Sequence, residues 1–405
     1  MKVLVCTAMM EIGGSQTNAI ELAVGVRDLG HDVTVWGPPG ELVEVARAAG
    51  LDVVQAARER HWPSAANIAR LNQLVVDRGI DLVHAYEWGP AVDLAFGPHR
   101  RYGIPMLITV LSMSVPDFLP AHVPLVVGTA ALARQESARG RSVSLMEPPV
   151  DTSRNAPGGG DAPRARFGLG ADDLVVSVVG RLVDDLGKLP GVLDAIGVVD
   201  ELARRRPVRL LVVGDGPGLP LVRRRAQEVN GHHGRDVVQA TGALLDPRDA
   251  YAAADVVLGM GSSALKGMAF AKPLVVQGEA GFWRLLDEES LPAFLTSGWH
   301  GVGGAGPADL LAALTPLLDD PARRRELGDL GRATVVRRCS LTQASAALAR
   351  LYEAVASSPP SARARLLGLA GAAGRLARFK FALARQRWSG GPGARVATLP
   401  AGGGA

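Results

Sequence analysis

The sequence predicts an α/β protein built from two doubly wound, mainly parallel units, and three observations carry that prediction. Apolar runs of strand length alternate with stretches of helical period along residues 1–356. The alternation breaks once, around Pro148-Pro149-Val150-Asp151, after which Asn155–Pro163 (NAPGGGDAP) has the composition of a linker. A chain of 405 residues with 47% hydrophobic content is also long enough for two cores rather than one.

In chain order, Lys2–Cys6 reads as the first strand, and the loop Met9–Gly14 delivers Ser15 as an N-cap for a helix through Leu29, ended by Gly30. Asp32–Trp36 is the second strand, Glu41–Ala49 a helix, Leu51–Val54 a third strand and Pro63–Arg78 a helix. Asp81–Ala85 is a strand followed by Tyr86-Glu87-Trp88-Gly89, and Pro105–Val110 and Leu125–Val127 are further strands. The second unit opens with Leu174–Val179 and Gly180-Arg181. Lys188–Arg205 is helical, Arg209–Val213 a strand, Gly214–Gly218 a turn, Leu221–Val229 a helix and Asp236–Gln239 a strand. Asp246–Ala254 then leads into Asp255–Trp283, the stretch around which the chain is organised: strand, glycine-serine turn, helix Ala264–Ala271 and strand Pro273–Val276. Helices fill Ala308–Val336 and Leu341–Ala356. The expected domains are therefore 1–150, 151–340, a helix 341–358 packing back on the first unit, and a basic, disordered tail 359–405.

Composition excludes several function classes. No apolar stretch is long enough for a bilayer span, and the N-terminus enters a strand at once, without a cleavable signal pattern; a cytoplasmic protein is expected. Cys6 and Cys339 read as reduced structural thiols, and no cluster has metal-ligand spacing, so neither a metal nor a bound cofactor is expected. From Pro359 to Ala405 there are eight cations and no acid; removing them from the whole-chain +4 leaves −4 for residues 1–358. The basicity thus belongs to the tail, and the body holds no nucleic-acid motif. Residues 361–388 mix Leu, Phe and Trp with Arg, which fits a weak contact with an anionic membrane, peripheral at the inner face, or a disordered extension. Gly368, Gly371 and Gly374 weaken its helicity, and no clean apolar face is expected.

The chemistry points to an anion. Small residues that open a helix after a strand present bare N–H groups and the positive helix end, which suits a phosphate. Gly261, Ser262 and Ser263 form such a turn, and their N–H groups are expected to face a ligand. Arg181 ends a strand and Lys188 opens a helix; two cations converging there would neutralise a leaving diphosphate, the alternative being a pair of solvated surface charges. Gly13-Gly14, with Ser15, either lets a ligand approach the backbone or makes a tight turn. Gly214-Asp215-Gly216-Pro217-Gly218 lacks the dinucleotide fingerprint, because Leu219 holds its last position, and reads as a cleft turn. His84 ends a strand, where a buried, hydrogen-bonded ring is the default and a catalytic one the alternative, whereas Glu87 in the next loop is placed to reach solvent or substrate.

Taken together, these pieces resemble glycosyltransferase family 4, nucleotide-sugar-dependent enzymes of the GT-B fold. The resemblance spans about residues 1–356. It rests on Gly13-Gly14, Asp81–Ala85 with Trp88, Gly180-Arg181-Leu182 followed by Lys188, Leu211–Pro217, and Leu265–Val276, which is similar to the family's L-E-A-M-A-x-G-x-P-V-V. It implies two Rossmann-like domains facing a cleft, with the donor on the C-terminal one, the acceptor toward the N-terminal one and a last helix crossing back. It implies a retaining transfer of a hexose from a nucleotide-diphosphate sugar to a glycan, lipid or small-molecule acceptor. Arg181 and Lys188 would hold the diphosphate; Gly180, Gly214, Gly216, Gly261, Ser262 and Ser263 would line the donor side, and Gly13, Gly14, Ser15, His84 and Glu87 the acceptor or cleft side. The family's two glutamates fall here on Leu258 and Lys266, and its strand-five histidine on Leu111. Lys266 would then reach a phosphate and Glu279 would take the ribose. Those replacements keep two alternatives open, a nucleotide-sugar-binding pseudoenzyme or partner subunit and a nucleotide-sugar epimerase.

Overall fold

In the computed structural model, which describes residues 1–57, 61–158 and 161–388, the chain divides into two compact units. The first comprises Met1–Pro148 together with the chain from Leu341, and the second Pro149–Ser340. Residues 159–160 of the expected linker and 389–405 of the tail lie outside the described residues.

The first unit holds a seven-stranded sheet: β1 (Lys2–Thr7), β2 (Asp32–Gly37), β3 (Asp52–Gln55), β4 (Leu82–Tyr86), β5 (Met106–Val110), β6 (Leu125–Val127) and β7 (Val143–Leu145). Their order is β3-β2-β1-β4-β5-β6-β7, all parallel. Helices cover both faces, so strands such as VLVC and MLITV are apolar on both sides rather than alternating. Order reverses between β1 and β4, and their carboxyl ends carry the Gly13 and Glu87 loops.

The second unit repeats the plan with six strands: β8 (Leu174–Val179), β9 (Val208–Val213), β10 (Val238–Gly242), β11 (Val256–Gly259), β12 (Leu274–Gln277) and β13 (Trp283–Leu285). The order is β10-β9-β8-β11-β12-β13, with β13 antiparallel at the edge. Its reversal lies between β8 and β11, where Gly180-Arg181 and the Gly261 turn emerge.

Local chemistry sets several boundaries. Ser64 accepts the Asn67 N–H and caps the Ala65–Arg78 helix, which ends on Gly79 in the left-handed region at φ +62°. At the first helix the expected Ser15 cap is not formed. Gly13 is the N-cap, the helix runs Gly14–Asp28, and the Ser15 hydroxyl donates elsewhere. The Leu341–Ser357 helix packs on this one within the first unit, and Gly25 permits the approach: a Cβ there would lie 2.0 Å from Ser345 Oγ.

The tail differs from expectation. Ala362–Trp388 is a 27-residue helix rather than a disordered stretch. Its inner stripe is Arg365, Gly368, Leu369, Ala372, Arg375, Leu376, Phe379 and Leu383, a regular helical spacing in which Leu369, Ala372 and Leu376 are buried. A Cβ on Gly368 would meet His122 Nδ1 at 2.1 Å, so a glycine that weakens the isolated helix lets it dock. Phe379 closes the contact against Trp62 and Phe118. Tertiary burial outweighs the low propensity.

Candidate functional site

The second unit brings most of the sequence-predicted donor residues to the carboxyl ends of β8, β9, β11 and β12. Gly180 and Gly214 stack backbone on backbone: a Cβ on Gly214 would lie 1.8 Å from the Gly180 carbonyl oxygen. Gly216 packs the same way against the Leu182 carbonyl, 2.6 Å from where its Cβ would stand. These glycines join two loops to each other rather than leaving backbone open to a ligand.

Lys188 opens the Lys188–Ala203 helix, behind Gly187 in the left-handed region at φ +74°. Glycine is required there twice over, since a Cβ would also strike the Gly278 carbonyl oxygen at 2.3 Å. The buried Gln277 amide donates to the carbonyls of Gly187 and Lys188, at 2.8 and 3.0 Å, and fixes this corner against β12. The Lys188 ammonium is half-buried and ion-paired with Asp185 at 2.7 Å. The Arg181 guanidinium, partly exposed one residue beyond Gly180, makes no hydrogen bond or ion pair among the described residues. Lys266, on the helix Gly261–Ala269, likewise has no ion-pair partner among them.

The Gly261 turn differs in detail from expectation. The Gly261 N–H donates to the Trp299 carbonyl at 3.0 Å and the Ser263 N–H to the Met260 carbonyl at 3.2 Å, so neither is bare. The Ser263 hydroxyl is also spent on Met260. Of the three amides, Ser262's alone has no partner among the described residues. A turn this tight closes on itself, which counting small residues does not foresee.

Two residues join the site that sequence reasoning missed. His300 follows Trp299, whose carbonyl holds the Gly261 turn, and its Nε2 lies 3.5 Å from Glu279 Oε1. That contact is an ion-pair distance rather than a hydrogen bond, and Nε2 is buried without a hydrogen-bond partner. Burial pushes the His300 pKa down; Glu279 pulls it up and Lys188 pushes it down again, so the three groups share one field. Asp185, paired with Lys188, is the other. His300 carries no sequence signal, because Glu279 and Lys188 define it from far along the chain, whereas the i, i+3 spacing of Asp185 and Lys188 could have been read. The corner therefore gathers Lys188, Asp185, Glu279 and His300, with Glu279 partly exposed. Leu258, at the position of a family glutamate, is fully buried inside β11.

In the first unit the corresponding reversal point centres on Glu87. Sequence reading expects it to reach solvent; instead it is 2% exposed. Its carboxylate accepts from Ser15 Oγ at 2.9 Å, the Leu111 N–H at 3.0 Å and Ser112 Oγ at 2.6 Å, tying the loops after β1, β4 and β5. Burial raises its pKa while those donors oppose the shift. The backbone stands at φ +68°, ψ −172°, a conformation costing a non-glycine residue about 1–3 kcal/mol. Glu87→Ala is expected to destabilise the protein by about 3 kcal/mol, because three donors lose an acceptor. Glu87→Gly loses the same bonds but relieves the backbone, and should be milder by about 1 kcal/mol. Urea midpoints measure both; equal losses would mean that the backbone is not strained.

His84 does not belong with this group. It is fully buried, with Nδ1 2.7 Å from the Tyr352 hydroxyl and Nε2 2.7 Å from Thr109 Oγ1. Burial pushes its pKa down to about 3, so the ring is neutral and pins the Leu341–Ser357 helix to the sheet. A histidine at a strand end faces either way, and here the long helix supplies its partner. Gly13 and Gly14 stand at the first helix start, with Gly13 close against Gln16. Among the described residues no group of three or more His, Cys, Asp or Glu side chains gathers to hold a metal, and no helix is long and apolar enough to cross a membrane.

Comparison with known proteins places both units. The Glycosyltransferase Family 4 model matches residues 12–135, and the Glycosyl transferases group 1 model matches residues 173–320. A D-inositol 3-phosphate glycosyltransferase of Kineococcus radiotolerans is 34% identical over 203 residues, 46% of each chain; the match thus spans about half the length of that curated relative. Among solved structures, a Rickettsia africae glycosyltransferase superposes with TM-score 0.69 at 15% identity, covering 87% of this chain and 98% of its own. Anabaena HepE in complex with UDP gives TM-score 0.68 at 17% identity, over 87% and 100%. Arabidopsis starch synthase IV, bound to ADP and acarbose, gives 0.62 at 13%, over 88% and 100%. At these identities the superpositions speak for the fold. With the two family models in tandem on two Rossmann-like units, this chain is a glycosyltransferase-family-4-type protein of the GT-B fold.

Proposed function

We propose that this protein transfers a hexosyl group from a nucleotide-diphosphate sugar to a hydroxyl acceptor, with retention at the anomeric carbon. The observation that carries the reading is the corner at the β8/β11 reversal, where Lys188 and Glu279 both act on His300, and where Arg181 and the Ser262 amide, neither with a partner among the described residues, leave neighbouring strand ends. In the transfer the bond from the anomeric carbon to the diphosphate oxygen breaks, and one to the acceptor oxygen forms as that hydroxyl gives its proton to the departing diphosphate. Negative charge accumulates on the leaving diphosphate, so fixed cations lower the barrier without a covalent step. Arg181 and Lys188 take that part, with Lys188 leaving Asp185 for the phosphate. Lys266 approaches the same phosphates, and Glu279, supported by His300, receives the ribose hydroxyls. The first unit offers its Gly13–Ser15 loop to the acceptor, with Glu87 as the buried post holding it.

Support comes from relatives as well. HepE is described with UDP-glucose and with UDP and glucose, and starch synthase IV with ADP and acarbose. A thermal-shift series of nucleoside diphosphates and their sugars tests the reading, because a ligand present at a hundred times its Kd stabilises the fold by about 2.7 kcal/mol. The expected result is a shift with one diphosphate, a larger one with its sugar, and slow release of free sugar by water. No shift across the series would overturn it. A shift without turnover would leave a binding subunit, and a rearranged sugar nucleotide without acceptor would mark an epimerase.

A further inference from the structure

We infer that the outer face of the Ala362–Trp388 helix is a docking surface for an anionic lipid membrane, a property that goes beyond nucleotide-sugar transfer and does not depend on it. The inner stripe through Leu369, Ala372, Leu376 and Phe379 is spent on the first unit. On the opposite side, counting back from Phe381 by helical steps of three and four, lie Arg378, Ala377, Gly374, Ala370, Leu367, Leu366 and, five turns away, Arg363; Arg385 continues the ridge forward. Leu366 is 56% exposed, Leu367 64% and Phe381 72%, while Arg363, Arg378 and Arg385 are exposed beside them. No acid occurs from Pro359 to the end of the chain. Between the cations the ridge is alanine and glycine, so nothing polar separates the large apolar groups from a surface they approach.

Two features choose the occupant. Charge without a single acid matches an anionic surface, to which each adjacent Lys or Arg adds about fivefold in affinity. Protruding Leu and Phe beside those charges match an interface with an apolar interior below its headgroups, since such side chains gain by leaving water. Nucleic acid would satisfy the arginines but leave Leu366, Leu367 and Phe381 in water. The helix is too polar to span a bilayer, and its other side is held by protein, so it lies flat on the surface.

Flotation of the full-length protein with phosphatidylcholine vesicles, with and without phosphatidylglycerol, tests this. Binding is expected only to the anionic vesicles, and it should fall steeply in about 1 M salt, where screening shortens to roughly 3 Å. The triple variant Arg363→Glu, Arg378→Glu, Arg385→Glu should lose at least about a hundredfold. The apolar variant Leu367→Ser, Phe381→Ser should lose at least about tenfold. All five side chains are exposed, so helix content by circular dichroism and the melting temperature should stay at the parent values; Lys380 is spared because it stands over the Trp62 ring, 5.9 Å from its centroid. Equal binding to neutral vesicles, or anionic binding that survives both variants, would overturn the inference. So would retention on duplex DNA, abolished by the charge variant, without vesicle binding. Donor-induced thermal shifts should be the same in the parent and both variants, which separates this result from failure of the transferase reading.

Discussion

Lys188→Ala is expected to weaken nucleoside-diphosphate binding by about ten- to a hundredfold, because a single charge-assisted contact contributes about 1.5–3 kcal/mol. Its surroundings sharpen the prediction. Lys188 is half-buried, held at the helix start by the Gly187 turn and the Gln277 clamp, and paired with Asp185 at 2.7 Å. An incoming diphosphate must compete with that carboxylate. Asp185→Asn is therefore expected to tighten binding severalfold, the opposite sign from its neighbour three residues away. Arg181→Ala should cost a comparable amount to Lys188→Ala, and because both cations face the same phosphates the double variant should depart from additivity. Titration calorimetry with UDP, GDP and ADP measures all four variants against the parent. If Lys188→Ala binds as tightly as the parent while remaining folded, the diphosphate does not sit at this corner.

Much of the fold is legible because parallel strands covered on both faces are short, apolar and punctuated by turns. Leu174–Val179 and Asp81–Ala85 could be nothing else, and the Gly180-Arg181 and Gly261 turns mark where the ligand side of the sheet must lie. What stays hidden depends on partners far along the chain. Glu87 reads as a loop carboxylate, yet Ser15 and Ser112 enclose it; His84 reads as a strand end, and Tyr352, 268 residues later, decides its role. The same holds for His300, whose position depends on Glu279 and Lys188. The tail fails for a related reason: Gly368, which lowers helix propensity, is also the residue that lets the helix approach His122, so tertiary contact reverses the local preference. Nor could composition show that Ser263 would close its own turn.

Acid should unfold this protein early, and histidines held neutral in the fold are the reason. His84 has its pKa pushed from the ordinary 6.5 to about 3 by burial alone, and His122 is pushed to about 4 by burial, His99, Arg365 and Arg141. A histidine with a lowered folded pKa keeps the fold neutral while the unfolded chain takes up a proton. Stability is therefore intact above about pH 6.5 and falls as pH drops, by about 1.4 kcal/mol per unit for the fully buried His84 and by less for the half-buried His122, which solvent screens. The His84 loss continues toward about pH 3, and the His122 loss ends near about pH 4. Between about pH 6.5 and about pH 3 His84 alone removes an amount comparable to the lower end of an ordinary 5–15 kcal/mol, and His122 adds to the loss. Glu87 works the other way: its raised pKa means that the fold gains as its carboxyl takes a proton ahead of the unfolded chain, which partly offsets the loss above about pH 4.5. His84→Gln separates the contributions. It should be less stable than the parent at about pH 7, because Tyr352 and Thr109 lose a well-placed partner. Its stability should nevertheless fall with acid less steeply, by about 1.4 kcal/mol per unit between about pH 6 and pH 4. Urea unfolding at a series of pH values gives both slopes, and parallel slopes would mean that the His84 ring carries a proton in the folded protein.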